Sequence, residues 1–590
     1  MATPDRSHER LADLFDRAGT LLRLHGANTF RANAHAKAAR TIRDHPEIID
    51  TARDDPDALG ELPGIGSKIA EKIIEFVETG DIDEFDELAA NTPAGLLDVL
   101  AIPGLGAKTV RALWETLNVE SIADLERVID DGTILDVPRM GEKTVEGIRD
   151  AIDFQKRSKG RTPLGIALPI AESLVDRLAN VRGVKRLASA GSLRRGAETI
   201  GDVDLLAVTA EPDTLRNAFT SLKGVDNVIA SGETKSSIRL QARDRVLQVD
   251  LRIVPAESWG AALLYFTGSK EFNVALRSRA KSRGLTLNEY GLYPDEEPEN
   301  PDPPQARGVG PIAGETEASI FEALEMPTIP PELREDWFID GSPERVPEII
   351  TISRVISELH AHTTASDGKL SIVELAGLAR QAGFHTIAVT DHSKSSVIAG
   401  GLDEDRLRAH IDAVRAANEE IDGITILAGS EVDILADGSL DYDDELLAAL
   451  DHVVASPHAS LNQSPADATR RLIRAIEHPS VRILGHPTGR LIGRREGFAP
   501  DIRALARAAA EHDVALELNA NWMRLDLSDR NLRIALDEGA LIAIDCDVHR
   551  LDDFEQLRFG IATARRAALP ADRCVNCWDA GRLHAWLRRG

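Results

Sequence analysis

Apolar and polar residues alternate along this chain with a period that changes from helical to strand-like. Near the start, apolar side chains recur every three or four positions, which is typical of amphipathic helices. The first such series comprises Leu11, Leu14, Phe15, Ala18, Leu21 and Leu22. Further along, the apolar run from Val246 to Val254 predicts a buried strand. Beyond residue 355, about seven short apolar runs alternate with amphipathic segments, which predicts repeated strand–helix units. The pattern therefore indicates a multidomain α/β protein.

A short glycine motif repeats within the helical region at intervals of roughly 35 to 40 residues. It reads Leu62-Pro63-Gly64-Ile65-Gly66-Ser67-Lys68, then Ile102-Pro103-Gly104-Leu105-Gly106-Ala107-Lys108, with a degraded third copy from Val137 to Lys143. Glycines let such a turn expose backbone amides at a helix N-terminus, where a phosphate binds. The motif resembles the helix-hairpin-helix, which holds the DNA backbone without reading sequence. The candidate DNA contacts are Gly64, Gly66, Lys68, Gly104, Gly106 and Lys108. The alternative is three ordinary helix–turn–helix joints, and it is strongest for the third copy, where Arg139 replaces a glycine.

Three aspartates in the middle of the chain point to metal chemistry. Asp202 and Asp204 are two residues apart, so they share one face of a strand. Asp250 lies in the next long apolar run, and we expect it on a neighbouring strand. Three clustered carboxylates repel one another unless a hard cation such as Mg²⁺ or Mn²⁺ neutralises them, and two metals held this way support in-line nucleotidyl or phosphoryl transfer. The alternative is a solvated acidic turn beside a strand.

Length and composition indicate the number of domains and the cellular compartment. The 590 residues are enough for about three to five domains. We find neither a basic start followed by an apolar run nor a continuous apolar stretch of about eighteen residues, so we expect a cytoplasmic protein without a membrane partner. The three cysteines are too few for a disulfide framework. Cys574 and Cys577 have the spacing of a metal knuckle, but without a second pair we interpret them as structural.

The charge balance argues against nucleic acid at first sight, because 97 acidic residues face 69 basic ones and the net charge is −28. Lysine is sparse and disappears after Lys394. Such a surface suits a protein adapted to molar salt, where repulsion is screened. In molar salt, contacts between charged side chains and phosphates are weak, so we expect backbone amides, metals and shape to hold the DNA.

Two long motifs carry a family resemblance. The run Gly191-Ser192-Leu193-Arg194-Arg195-Gly196-Ala197-Glu198, followed by Gly201-Asp202-Val203-Asp204, resembles the palm motif of X-family DNA polymerases. So does Tyr265-Phe266-Thr267-Gly268-Ser269-Lys270-Glu271-Phe272-Asn273, followed by Arg277. The resemblance covers residues 1 to about 320. It implies a lyase-like helical domain (1–90), a fingers-type helical domain (91–160), a nucleotidyltransferase palm (161–258) and a thumb (259–330), each helical domain holding one hairpin.

The resemblance also implies residue roles. Asp202, Asp204 and Asp250 hold two Mg²⁺ or Mn²⁺ ions, and Asp250 helps to activate the primer 3′-hydroxyl. The implied nucleotide contacts are Gly191, Ser192, Arg195 and Gly201 for the triphosphate, Tyr265, Phe266 and Gly268 for the sugar, Asn273 for the minor-groove edge of the base pair and Arg277 for the template. The alternative for Tyr265 and Phe266 is a plain core position. Lys72, on the helix after the first hairpin, stands where the family's lyase lysine forms a Schiff base with an abasic sugar. It equally suits phosphate binding, because Phe30 stands where the family's helper tyrosine would be.

Histidines and acids gather at the predicted strand ends of the last region, after a proline-rich linker at 331–354. In a parallel barrel those ends form the active-site face, and imidazole with carboxylate suits Zn²⁺, Mn²⁺ or Fe. A purely structural role is the alternative. Residues 355–590 resemble a PHP (polymerase and histidinol phosphatase) domain, a distorted barrel of seven strand–helix units. The resemblance implies three divalent metals and three ligand sets: His360, His362, Glu431 and Asp547; Asp367, His392 and His549; and Glu431 with His458 and His486.

Together these features favour a bifunctional DNA repair enzyme. It would fill short gaps by template-directed synthesis on gapped or primed DNA with dNTPs, and its barrel would act as a 3′→5′ exonuclease or process 3′ ends or abasic sites. We expect a monomer. One alternative makes the phosphoesterase the main activity, with the polymerase half as a DNA-docking platform. Another, a non-enzymatic scaffold, leaves two complete ligand sets without a purpose.

Overall fold

The computed structural model describes most of the chain, and its contacts divide the chain into two units. The described residues are 8–45, 47–62, 64–100, 102, 105–138, 140–142, 144–149, 152, 161–242, 245–294, 303–341 and 346–588. The first unit is residues 1–159 with 493–495, and the second is 160–492 with 496–590. Within the described residues, no helix has the length and apolar character needed to cross a membrane.

The first unit is helical throughout its described part. Its helices are α1 (His8–Leu24), α2 (Thr29–Asp44), α3 (Ile48–Asp54), α4 (Ser67–Thr79), α5 (Asp83–Ala90), α6 (Leu96–Leu100), α7 (Ala107–Leu117) and α8 (Ile122–Asp130). Two apolar clusters form, one around Phe15, Ile73 and Phe76 and one around Val110 and Leu125. The helical periodicity of the sequence thus predicts the element type correctly, since each helix buries one apolar stripe.

Residues 161–258, predicted as the palm, contain a five-stranded mixed sheet covered by helices. The strands are β2 (Val184–Ser189), β4 (Asp202–Thr209), β5 (Val225–Ser231), β6 (Lys235–Ala242) and β7 (Arg245–Ile253), and a short pair, β1 (Thr162–Pro163) with β3 (Thr199–Ile200), lies beside them. The order is β2-β4-β7-β6-β5, and only β4 and β7 are parallel. Helices α9 (Leu164–Ala179) and α11 (Pro212–Thr220) bury apolar residues against the sheet, and the one-turn helix α10 (Gly191–Arg194) follows β2.

The thumb extends further along the chain than the sequence predicts. Its elements are α12 (Trp259–Thr267), α13 (Lys270–Ser282), β8 (Leu285–Asn288), β9 (Gly291–Pro294), α14 (Glu317–Ala323) and α15 (Asp336–Gly341). Leu333 and Phe338 are buried in the thumb core, and Ile350 is buried in the core of the barrel. Within the predicted linker, 331–354, the described part therefore contacts two cores through Leu333, Phe338 and Ile350, and residues 351–354 are exposed. Proline and acidic residues suggested a linker, but several of the apolar side chains between them find a core.

The last region is a parallel barrel. Its strands run in sequence order: β10 (Ser357–Glu358), β11 (Thr386–Val389), β12 (Thr425–Asp433), β13 (His452–Ser456), β14 (Ile483–Leu484), β15 (Ala515–Asn519) and β16 (Leu541–Asp545). The helices are α16 (Ile372–Gln381), α17 (Glu404–Glu420), α18 (Asp444–Ala448), α19 (Pro465–Ile476), α20 (Ile502–His512), α21 (Asp529–Asp537), α22 (Leu557–Arg566) and α23 (Ala580–Leu587). A parallel bridge between Ala361 and Val548 joins the first and last strand ends, so the sheet nearly closes. The predicted seven-unit barrel is confirmed.

Candidate active sites

The three palm aspartates meet on neighbouring strands. Asp202 and Asp204 lie on β4, and Asp204 stands directly opposite Asp250 on the parallel strand β7. Each offers a carboxylate oxygen, and the three oxygens lie within 4.8 Å of one another. Asp202 is exposed and Asp250 is buried, so the cluster opens to solvent on one side. The arrangement fits hard divalent cations, which prefer several oxygen ligands and an open position for substrate.

Repulsion and burial in this cluster shift the pKa values of its carboxyl groups. Burial, with the charges of Asp202 and Asp250, raises the pKa of Asp204 to about 6. Burial also opposes ionisation of Asp250, but hydrogen bonds from Lys235, Ser237 and Gln248 outweigh it and lower its pKa. Lys235 Nζ lies 2.6 Å from Asp250 Oδ2. Sequence reasoning missed Lys235, because its place beside Asp250 depends on how β6 pairs with β7.

The turn before β4 approaches the same cluster. Gly191 has φ +65°, and a Cβ there would lie 2.5 Å from Asp204 Oδ2, so both its conformation and its neighbour require glycine. Arg194 donates two hydrogen bonds to Glu317, at 2.7 and 2.8 Å. Arg195 lies 3.0 Å from Glu335 through Nε and donates from Nη1 to the carbonyl of Thr267 at 2.6 Å. The two arginines, which look equivalent in the sequence, therefore pair with different acids, although both also donate to Thr267: Arg194 to its hydroxyl at 2.8 Å and Arg195 to its carbonyl.

The predicted sugar and base contacts lie together on the thumb. Tyr265, Asn273 and Arg277 line one shallow cavity with Asn288. Asn273 Nδ2 donates to the carbonyl of Tyr265 at 2.7 Å, and Arg277 Nε donates to the carbonyl of Asn273 at 3.3 Å. Tyr265 is 37% exposed, which disfavours a plain core role for its ring. Arg252 from the palm stacks 4.2 Å from the ring centre of Phe266.

Three further predicted nucleotide contacts, Gly268, Gly201 and Ser192, lie in turns or in the one-turn helix α10. Gly268 has φ +71°, and a Cβ there would lie 3.2 Å from Arg195 Nη1. Gly201 forms a bend directly before β4 and leaves its backbone accessible, and Ser192 lies in the one-turn helix after Gly191. Among the predicted nucleotide contacts, Gly191 approaches Asp204 directly, and Gly268 approaches Arg195.

The barrel gathers its predicted ligands at the carboxyl ends of its strands. Three overlapping groups each offer ligand atoms within 4.8 Å of one another: His362 with Asp367, His392 and His549; His360 with His362 and Asp547; and His392 with Glu431 and His458. His486 joins through Nε2, which lies 3.1 Å from Glu431 Oε1. His486 and Asp547 have positive φ, +22° and +54°, a conformation whose cost is typical of functional sites.

Buried polar atoms in this pocket lack hydrogen-bond partners among the described residues. They include His362 Nδ1 and His486 Nδ1, whereas His392 Nδ1 lies 2.8 Å from Glu431 Oε2 and His362 Nε2 lies 3.2 Å from Asp547 Oδ1. Leaving a buried polar atom unpaired costs about 1–3 kcal/mol, and a bound cation would satisfy ring nitrogens and carboxylate oxygens that crowd together in this way. The donor set of imidazole and carboxylate fits Zn²⁺, Mn²⁺ or Fe.

Electrostatics divides the histidines into two classes. Burial works against charge on His458 and His549, but acidic neighbours dominate. Glu431 and Asp433 raise the pKa of His458 to about 10, and Asp367 and Asp547 raise the pKa of His549 to about 9. Burial dominates for His362 and lowers its pKa to about 4. The shared set of carboxylates therefore shifts the pKa values of neighbouring imidazole rings in opposite directions.

Carboxylates behind the ligands orient them, and sequence reasoning did not assign this role. Glu517 Oε1 lies 2.7 Å from His360 Nδ1, and Asp433 Oδ1 lies 2.6 Å from His458 Nδ1. Such a contact fixes the ring and leaves Nε2 for a metal. Both acids follow apolar runs at strand ends, which was the available signal.

Sequence-family comparisons match the architecture. The matching models are a helix-hairpin-helix domain (7–82), a SAM-like helix-hairpin-helix tandem (96–153), the DNA polymerase beta thumb (262–335) and the PHP domain (358–521). A DNA polymerase/3'-5' exonuclease PolX from Bacillus subtilis (strain 168) is 34% identical over 576 residues, covering 98% of each chain. The chain belongs to the X family of DNA polymerases that carry a PHP domain. The family predicted from the two sequence motifs is thereby confirmed.

Other relatives of this X-family polymerase match parts of it. DNA polymerase lambda of Rattus norvegicus is 26% identical over 330 residues, 52% of this chain and 53% of the relative. A probable phosphatase of Shewanella sediminis (strain HAW-EB3) is 30% identical over 248 residues, 40% of this chain and 96% of the relative. Each of these two relatives therefore matches only part of this chain.

The predicted DNA-contact residues of the two hairpins lie at or just before helix N-termini. Gly66 and Gly106 precede the first turns of α4 and α7, with open space where a side chain would stand. Gly64 has φ +88°, and a Cβ there would lie 2.8 Å from Cδ of Lys37; Lys68 and Lys108 are exposed. Gly104 lies outside the described residues.

Lys72 lies inside an ion pair rather than free in a pocket. Its Nζ contacts Glu84, and the amine stands 5.6 Å from the ring centre of Phe85. Arg31 also contacts Glu84, at 2.5 Å. A lyase nucleophile would first have to leave Glu84, since the paired ammonium has no free electron pair.

Proposed function

We propose that this protein fills short DNA gaps by template-directed synthesis and removes 3′-terminal nucleotides with its barrel. The observation that carries the polymerase assignment is the cluster of Asp202, Asp204 and Asp250 beside the Arg195 turn. The Bacillus subtilis relative is named as both a DNA polymerase and a 3'-5' exonuclease. The barrel's buried histidine–carboxylate pocket supports the second activity.

In the palm, the three aspartates would hold the metal ions, and the turn before β4 would bind the triphosphate. Two Mg²⁺ or Mn²⁺ ions held by the three aspartates would supply charge stabilisation for the attacking and leaving oxygens. Asp250 would assist removal of the proton from the primer hydroxyl. The amides near Gly191 and Gly201, Ser192 and Arg195 would hold the triphosphate, and Tyr265 with Phe266 and Gly268 would shape the sugar pocket. Asn273 and Arg277 would contact the base pair and the template.

In the barrel, three metals of the Zn²⁺, Mn²⁺ or Fe class would polarise the scissile phosphate. His360, His362, Glu431 and Asp547 would hold one, Asp367, His392 and His549 a second, and Glu431 with His458 and His486 the third. Glu517 and Asp433 would keep His360 and His458 in the ring orientation that presents Nε2. Trimming of 3′ ends follows from the joining of such a site to a polymerase.

Gap filling tests the palm. A gapped duplex with Mn²⁺ and dNTPs should be extended by wild type, and Asp250→Asn should reduce extension by at least about 10³-fold, because one metal ligand and its charge are lost. Asp226→Asn, on an exposed position of β5 in the same sheet, is the matched control and should leave extension unchanged. Extension that survives Asp250→Asn would overturn the assignment.

Degradation of a 5′-labelled single strand tests the barrel. His360→Ala should abolish shortening of the strand, whereas His478→Ala, beyond α19 at the opposite end of the barrel, should not. A product ladder from wild type supports exonuclease activity. Cleavage only at an abasic site, or removal only of a 3′-phosphate, would replace the exonuclease with those activities of the same pocket.

We also propose lyase chemistry at Lys72. Borohydride trapping on a 5′-phosphorylated abasic substrate should give a covalent adduct with wild type and none with Lys72→Arg, which keeps the contact with Glu84. If wild type gives no adduct, the lyase activity is excluded.

A further part of the proposal is adaptation to high salt. The net charge of −28 supports activity that persists in molar KCl. An optimum near physiological salt, with loss above it, would contradict that adaptation.

A further inference from the structure

The turn that carries Arg195 is wedged against the PHP barrel. Gly196 has φ +66°, and a Cβ there would lie 3.0 Å from the Cβ of Ala562 on α22. Two residues later, Glu198 accepts a hydrogen bond from Arg490 of the barrel at 2.7 Å. Phe559, also on α22, is buried in the apolar core of the palm. The palm turn and the barrel therefore share one packed boundary within the second unit.

Arg195 is fixed by two of its three guanidinium nitrogens. Nε lies 3.0 Å from Glu335, and Nη1 donates to the carbonyl of Thr267 at 2.6 Å. Its side chain is 16% exposed. No described residue accepts a hydrogen bond from Nη2, so one donor edge remains available. An arginine held in this way loses little conformational entropy when it binds a phosphate.

Glu335 in turn depends on the barrel. Arg566, at the end of α22, lies 2.8 Å from Glu335 through Nη1, and the same nitrogen donates to the carbonyl of Arg195 at 3.1 Å. The rest of the guanidinium contacts Asp529, 3.1 Å away, at the start of α21. Arg566 therefore touches the backbone of Arg195 and the acid that fixes its side chain, while itself anchored in the barrel.

We propose that Arg566 of the PHP barrel is a positioning residue for nucleotide addition, acting through Glu335 on Arg195. This inference rests on the proposed triphosphate role of Arg195. Without Arg566, Glu335 faces one cation instead of two and the Arg195 carbonyl loses a donor, so the arginine samples more orientations. The barrel is then a structural part of the polymerase site as well as a second site.

Because Arg566 acts through Arg195, its loss should change the KM for dNTPs and not the KM for DNA. Arg195 would meet the triphosphate, which all four dNTPs share, and not the base or the DNA. Loss of Arg566 should therefore raise the KM for each dNTP by about the same factor and leave the KM for DNA unchanged. We expect about tenfold, which corresponds to about 1.4 kcal/mol.

Single-nucleotide gap filling with the full-length protein tests the proposal. Arg566→Ala should raise the KM for all four dNTPs about tenfold, and Arg566→Lys, which keeps a charge for Glu335, should recover part of that loss. The matched control is Arg558→Ala, on the same helix, which removes a barrel–palm ion pair to Glu172 at 3.0 Å that does not touch the turn. It should leave the KM for dNTPs unchanged.

Degradation of single-stranded DNA by the same preparations reports whether the barrel is folded. If Arg566→Ala still degrades DNA and its KM values for dNTPs are unchanged, the proposal is overturned. It is also overturned if Arg558→Ala raises those KM values as much as Arg566→Ala does, because that result would indicate a general loosening of the palm–barrel boundary. If Arg566→Ala does not fold, Arg566→Gln takes its place, and an unchanged KM in that variant overturns the proposal. Extension that survives Asp250→Asn would instead defeat the proposed polymerase function itself.

Discussion

Glu317 is a largely buried acid that pairs with two arginines, Arg194 and Arg334. It lies between Arg194, at 2.7 Å, and Arg334, at 2.6 Å, and Arg334 is only 1% exposed. Burial alone would raise the pKa of Glu317, but the two arginines lower it to about 2 from an ordinary value of 4.5. Replacing Glu317 with Gln leaves two cations facing each other without an anion.

The size of the effect follows from this shift. A carboxyl whose pKa falls from 4.5 to about 2 on folding contributes roughly 3 kcal/mol at neutral pH, as an order of magnitude. Because the folded pKa is the lower one, the contribution is complete above about pH 5 and declines as the pH falls through the interval from 4.5 to about 2. We expect it to be about halved near pH 3. The variant lacks this titration.

Native-state hydrogen exchange of the backbone amides in 317–334 is the suitable assay, because a multidomain chain has no single free energy of unfolding. At pH 7 Glu317→Gln should lower the local opening free energy by about 3 kcal/mol, and the same measurement at pH 3 should show a smaller difference between variant and wild type. Glu325→Gln is the control, since Glu325 pairs with Arg283 at 3.4 Å but is 82% exposed. A loss below about 1 kcal/mol, or a gap that grows on acidification, would refute the reasoning.

Other predictions concern the two sites separately. Gly191→Ala should reduce primer extension about 100-fold, because its Cβ would lie 2.5 Å from Asp204; Gly284→Ala, also at positive φ but with open space around it, should not, and equal rates in the two variants would contradict this. Gly368→Ala places a Cβ 2.4 Å from the carbonyl of His362 and should abolish strand degradation while extension continues; Gly377→Ala, with no neighbour within 4 Å, is its control in the same gel assay. Asp433→Asn should weaken metal binding at the barrel by about 10- to 100-fold in a fluorescent chelator competition, because His458 loses its orienting acid; unchanged affinity would remove Asp433 from that role.

Local patterns predicted much of this molecule, because they depend on neighbours in the chain. The strand period placed Asp202 and Asp204 on one face, and the apolar runs before His360 and His392 predicted strand ends that converge. Lys235 and Glu517 could not be assigned in the same way, since their partners depend on strand pairing and on which ring nitrogen turns inward. The contact between Arg566 and Glu335 joins positions 231 residues apart, and no periodicity reports it.

The extension of the thumb beyond residue 330 shows a second limit. Prolines and acids around Leu333 and Phe338 are typical of a linker, but burial of only a few apolar side chains is enough to fix a segment. Composition averages over such positions. The sequence motifs, in contrast, name the chemistry well, because metal and triphosphate sites require particular atoms at particular spacings.

The central claim is that two separate metal-dependent sites on one chain make and break the same class of bond. The most direct measurement follows one 5′-labelled primer on a gapped duplex, with Mn²⁺, in the presence and then the absence of dNTPs. We predict that Asp250→Asn still shortens the primer without extending it, that His360→Ala extends the primer without shortening it, and that the double variant does neither. Loss of both activities in either single variant, with the protein folded, would contradict the claim.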